Sequence, residues 1–95
     1  MPTIVAGDFN ESPSGKAVRL LEDKGFTNVV PIYKPGEHTW HGLLGHHMTI
    51  DHVMVDRSFG VLNGWVERRG SSDHSPVVAH VEVRPRQNTM PSWSP

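Results

Sequence analysis

From Met48 onward the apolar residues recur at every second position, and only a strand can turn such a run to one side of a core. Ile50, His52 and Met54 fall on one face of the first run, and Asp51, Val53 and Val55 on the other. Residues 61–68 repeat the alternation more weakly. In residues 76–83, Val77, Ala79, Val81 and Val83 alternate with Val78, His80 and Glu82. Short connections between the three runs predict an antiparallel meander. Upstream, Thr3-Ile4-Val5-Ala6, stopped by Gly7, reads as a buried strand. Ser12-Pro13 supplies an N-cap and a first-position proline, Ala17, Leu20 and Leu21 follow at helical spacing, and Gly25 closes a helix expected over residues 13–24. Pro31 and Pro35 limit residues 26–32 to a short strand and a turn. The fold class expected is α/β in the α+β sense: a mostly antiparallel sheet with one helix on one face. It occupies residues 1–84, and the Pro-rich 85–95 is expected to be a mobile tail.

With 95 residues, 36% of them hydrophobic, the chain can build one small core. A domain of this size buries about two-thirds of the surface its unfolded chain exposes, so a partner chain would add stability. Nine Lys and Arg against ten Asp and Glu leave a net charge of −1. Bulk charge therefore cannot hold a polyanion, and a phosphate substrate would need a metal ion or a few placed donors. The absence of cysteine excludes disulfides, thiolate zinc sites and a cysteine nucleophile. No apolar stretch reaches the ~20 residues of a membrane span, and Met1-Pro2-Thr3 lacks the charged and apolar regions of a signal peptide. No membrane partner and a cytoplasmic location are expected.

Three polar segments sit at predicted strand ends: Gly7-Asp8-Phe9-Asn10, Ile50-Asp51-His52 and Ser72-Asp73-His74. If the strands alternate in direction, those starting near residues 50 and 76 begin at the same sheet edge. An oppositely running first strand then delivers Asp8 and Asn10 to that edge. Three gathered carboxylates raise one another's pKa unless a cation sits among them. Mg²⁺ takes oxygen ligands and keeps waters, so one or two carboxylates with an amide oxygen suit it, and an Asp–His pair adds an oriented acid or base. Such a set suits attack of metal-oriented water on a phosphate ester. Taken singly, each segment reads equally well as a turn or an exposed strand end.

At these residues the chain resembles the endonuclease/exonuclease/phosphatase superfamily, the metal-dependent phosphohydrolases that include DNase I-like nucleases and inositol-polyphosphate phosphatases. GDFNESP, HTWHG, IDHVMV and SDHSPVVAHVEV stand in the order and approximate spacing of that family's carboxy-terminal half, over roughly residues 2–83. The resemblance implies half of a four-layer DNase I-like sandwich and a Mg²⁺ or Mn²⁺ cofactor. It implies that Asp8 orients or deprotonates the attacking water beside the metal, and that Asn10 holds the scissile phosphate. Asp51 then pairs with the catalytic histidine, Asp73 coordinates metal, and His74 binds the phosphate and stabilises the transition state. Family members are about twice as long, and their amino-terminal half supplies an asparagine and the principal metal-binding glutamate. The chain thus reads as a fragment, an isolated half or one subunit. Its partners would be a phosphate-ester substrate, nucleic acid among the candidates, and a second copy packed on the exposed sheet face. The rival reading is a non-catalytic half-domain that self-associates or complements a missing half.

Five of the seven histidines lie within fifteen residues. His38, His41, His46 and His47 offer a zinc site of imidazoles, although Gly42, Gly45 and the polar context equally describe a solvated loop. Trp40 is expected to pack rather than stack on substrate, and His52 and His80 are expected to be structural.

Overall fold

A computed structural model describes residues 1–68 and 72–85. In chain order these form strand β1 (Ile4–Asp8), helix α1 (Lys16–Asp23), strand β2 (Thr27–Asn28), helix α2 (Val29–Tyr33), strand β3 (Trp40–His41), a 3-10 turn (Leu43–Gly45) and strands β4 (His47–Met48), β5 (Asp51–Val55), β6 (Phe59–Val66) and β7 (Val77–Val83). The class is mixed α/β, and every strand pairing among the described residues is antiparallel. No helix among them is long and apolar enough to cross a membrane. Of the tail expected over residues 85–95, all but Pro85 lies outside the described residues.

β5 is the centre of a three-stranded sheet ordered β1-β5-β2. Its predicted alternation is observed: Ile50, His52 and Met54 are buried, whereas Asp51 and Val53 are half-buried. Val55, assigned to the outer face, is buried as well. The meander does not form. β1 pairs with the whole of β5 along one edge and β2 takes the Met54–Val55 end of the other, while β6 pairs with β7 in a separate two-stranded sheet.

Two helices, not one, accompany the sheets. α1 starts at Lys16 rather than at Pro13, because Ser12 accepts the Gly15 N–H at 2.9 Å and closes a turn first. The cap then comes from further upstream: the Glu11 carboxylate accepts the Val18 N–H at 2.9 Å and meets the positive helix end. The C-terminus stops as Gly25 predicts. The Phe26 N–H reaches the Leu21 carbonyl and the Gly25 N–H reaches that of Glu22, both at 3.0 Å, with Gly25 at φ +95°, where a side chain would strain. Val18 is the residue α1 buries, while Ala17 and Leu20, expected on the core face, are exposed. α2, where only a strand and a turn were expected, is held by tertiary packing: Val29 and Val30 are buried, and the Tyr33 hydroxyl donates to the Val61 carbonyl at 2.9 Å.

The core joins Val18, Val29, Val30, Ile50, Met54, Val55 and Val66. α2 meets β6 at Gly64, where an added Cβ would lie 2.7 Å from Val29 Cγ1 and 3.4 Å from backbone atoms of Val29 and Val30. Gly64→Ala is therefore expected to destabilise the fold by about 1–3 kcal/mol through overpacking. Urea denaturation checks this, and an unchanged midpoint would show that α2 rides freely on β6.

Candidate active site

The β1–β5 ladder ends at a pair of aspartates, Asp8 opposite Asp51. Like charges directly across a ladder repel, so this end of the sheet favours a positive neighbour. His74 provides one. It lies just before β7 and reaches the ladder because its backbone forms an isolated antiparallel bridge with Trp40. Its Nδ1–H donates to Asp51 Oδ2 at 2.8 Å, and its Nε2 stands 3.9 Å from Asp8 Oδ2, an ion-pair distance beyond hydrogen-bond range. The bond to Asp51 holds the His74 imidazolium above its ordinary pKa; desolvation works against this, and the charges of Asp51, Asp73 and Asp8 add to it.

Asp8 is oriented locally. Its Oδ1 accepts the Asn10 N–H at 2.8 Å, which bends the chain so that Asn10 sits at φ 55°, a conformation Asn tolerates through this kind of turn. Oδ2 is left toward His74. Phe9 anchors the same turn to β5 through its N–H on the Ile50 carbonyl at 2.8 Å and packs its ring edge-on to His52. His52 is structural, as expected: its Nε2–H donates to the Glu11 carbonyl at 2.8 Å, and its Nδ1 accepts from Asn28 at 3.2 Å. His80 is exposed on β7.

The five residues singled out at the strand ends do not all converge equally. Ligand-capable atoms of Asp8, Asp51 and His74 lie within 4.8 Å of one another. Asp73 stands beside this group, with its Oδ2 accepting the Trp40 indole N–H at 3.2 Å and its charge felt by His74. Asn10 is exposed at the end of β1. In kind, the carboxylates fit a hard divalent cation, for which two carboxylates completed by waters are an ordinary inventory. His74, with Nδ1 committed to Asp51, fits as an oriented charge beside such an ion rather than as its ligand.

Thr39 is the positioning residue that the strand patterning did not single out. It is fully buried, and its hydroxyl accepts the N–H groups of both Ile50 and Asp51, at 2.9 and 3.0 Å. Its carbonyl accepts the Ser75 N–H at 2.7 Å. One residue thus ties the start of β5, with Asp51, to the segment carrying His74. The available signal was its place in HTWHG, beside Trp40. Thr39→Val keeps the shape but strands two donors, and is expected to cost about 1–3 kcal/mol. A lower urea midpoint with a shifted His74 imidazole resonance checks both roles; an unchanged midpoint would mean that those donors find other acceptors.

A model of the Endonuclease/Exonuclease/phosphatase family matches residues 1–74 of the 95. No curated protein and no solved structure matches the chain. The matched stretch contains every residue of the Asp8–Asp51–His74 group and the Thr39–Trp40 segment that supports it. With the aspartate pair and its histidine at one strand end, and a family match over more than three quarters of its length, the chain belongs to the endonuclease/exonuclease/phosphatase family of metal-dependent phosphohydrolases.

Proposed function

We propose that this chain contributes the water-activating and phosphate-binding part of a phosphodiesterase, endonuclease or phosphatase site, with Mg²⁺ or Mn²⁺ as its ion. The observation that carries the reading is the Asp51–His74 bond with Asp8 facing the free Nε2. Asp51 fixes the imidazole through Nδ1–H, so the proton on Nε2 of the imidazolium points toward the strand end where Asp8 lies. There it can donate to a phosphoryl oxygen and stabilise charge as a pentavalent phosphorus forms. Asp8, half-exposed, accepts the proton of the attacking water. Asn10, held in the turn after β1, is assigned to the phosphate through its side-chain amide, and Asp73, braced by Trp40, to the ion. A divalent cation bound by these carboxylates would supply Lewis-acid charge to the phosphoryl oxygens.

The test is hydrolysis of bis-p-nitrophenyl phosphate and of plasmid DNA by the full chain, with Mg²⁺, Mn²⁺ or EDTA, beside Asp8→Ala. Metal-dependent turnover lost in the variant supports the reading. A folded chain with no turnover above the variant overturns it for this chain alone. The second reading, a scaffold that acts by association, is favoured by the exposed Ile4 on β1, Leu62 on β6 and Val83 on β7. In that case a homodimer that covers these exposed apolar strand residues is the expected partner. Light scattering at micromolar concentration distinguishes it: a folded monomer removes it.

A further inference from the structure

The β3–β4 hairpin carries a second group of nitrogen donors, separate from the aspartate pair. His41 and His47 are partners across the ladder, and their Nδ1 atoms approach to 2.9 Å. As a hydrogen bond this contact needs one proton between two imidazole nitrogens, one ring donating and the other accepting. The rings are held there by more than that proton. His38 lies flat on His47, with centroids 5.1 Å apart and planes 4° from parallel, and His41 meets His47 edge-on at 5.0 Å. The hairpin is closed below them by the Gly42 N–H on the His46 carbonyl at 2.8 Å.

Two imidazole nitrogens 2.9 Å apart can serve as a chelating pair once the donating ring carries its proton on Nε2 instead, which leaves both Nδ1 lone pairs open to an ion. Ligands about 2.0–2.1 Å from an ion and at right angles to each other lie about 2.8–3.0 Å apart, whereas a tetrahedral angle spreads them to about 3.4 Å. The 2.9 Å separation corresponds to the first case. Tetragonal and square-planar ligand fields of nitrogen belong to Cu²⁺ and Ni²⁺, and imidazole suits both. We propose that His41 and His47 form a transition-metal site for Cu²⁺ or Ni²⁺, with Nδ1 of each as ligand, His38 fixing the His47 ring, and water in the remaining positions. The site is distinct in chemistry from the Asp8–Asp51 pair, which offers hard oxygens. The hairpin is joined to the segment carrying His74 by the His41 N–H on the Asp73 carbonyl at 2.8 Å, by the Trp40 bridge to His74 and by the Trp40 indole on the Asp73 carboxylate. An ion across β3 and β4 would clamp the hairpin that supports this segment.

The experiment is titration of the full chain with Cu²⁺, followed by electron paramagnetic resonance and by calorimetry, with circular dichroism verifying the fold of each variant. The expected result is one tightest-bound ion per chain, distinct from any weaker ion on the carboxylates, with nitrogen superhyperfine splitting, and affinity of that ion weakened at least about tenfold in both His41→Ala and His47→Ala, with less than about a twofold change in His46→Ala and Asp8→Ala. His47→Gln, which keeps bulk at the exposed position, is expected to lose the ion as His47→Ala does. Affinity that falls with Asp8→Ala, affinity unchanged in the His41 and His47 variants, or a copper spectrum without nitrogen splitting would each overturn the assignment.

Discussion

His74→Asn is expected to lower metal-stimulated hydrolysis of bis-p-nitrophenyl phosphate by about 10²–10⁴-fold, the range over which a positioned acid or charge stabiliser contributes. Asn retains a hydrogen bond to Asp51 but carries no charge, so the loss reports the imidazolium and not a collapsed site. The pH dependence has a definite sign. With Nδ1–H given to Asp51, Nε2 carries a proton only in the charged ring. The donor role therefore holds below the raised pKa of His74 and fails as pH rises through it. The linked stability behaves likewise: it is fully present below the unfolded value, about 6.5, and is lost as pH climbs through the folded one. Asp51→Asn removes the largest cause of the shift, so the alkaline limb of the profile is expected to move to lower pH. A rate profile that is flat through the histidine range, or a His74→Asn variant with unchanged turnover, would remove His74 from the proposed chemistry.

Met54→Ala is expected to destabilise the fold by about 2–5 kcal/mol, the cost of truncating a buried large apolar side chain. Met54 is fully buried on β5, with Val5 across one ladder and Asn28 across the other. A cavity there lies between the two strands that complete the sheet. In a domain this small each kcal/mol moves the midpoint by about 4–8 °C, so the variant is expected to melt at least about 10 °C lower or to fail to fold at 37 °C. Calorimetry or thermal circular dichroism reads it. A shift of only a degree or two would mean that β1 and β2 collapse onto the cavity, and that the sheet is less rigid than its pairing implies.

Some of this was legible in the residues. The period-two runs around Met54 and Val81 specified strands because a strand is the only element that puts every second residue on one side. Gly25 announced the end of α1 because few other residues adopt its φ. The order of GDFN, IDH and SDH carried the family, since three short polar segments recurring at strand ends in that order are hard to obtain by chance. Other features were decided by partners distant in sequence. Local spacing put Ala17 and Leu20 on the buried face of α1, but the position of the sheet buried Val18 instead. Residues 29–33 have weak helical propensity and a proline, yet form α2 because Val29 and Val30 find a groove against β5 and β6.

The site divides the same way. Sequence by itself determined which residue types were available at the strand ends and the chemistry their carboxylates and imidazoles permit. It also determined the alternation that sends Ile50, His52 and Met54 into the core, because that depends only on the backbone repeat. Tertiary structure alone decided that β5 takes β1 and β2 as neighbours rather than β6. It also set the Asp8–Asp51 register, and it brought His74 to them through the Trp40 bridge and the buried Thr39, whose hydroxyl holds Asp51 and whose carbonyl holds Ser75. Those placements rest on hydrogen bonds between segments more than ten residues apart. Which edge or hydroxyl satisfies which donor is settled only when the whole chain competes for partners.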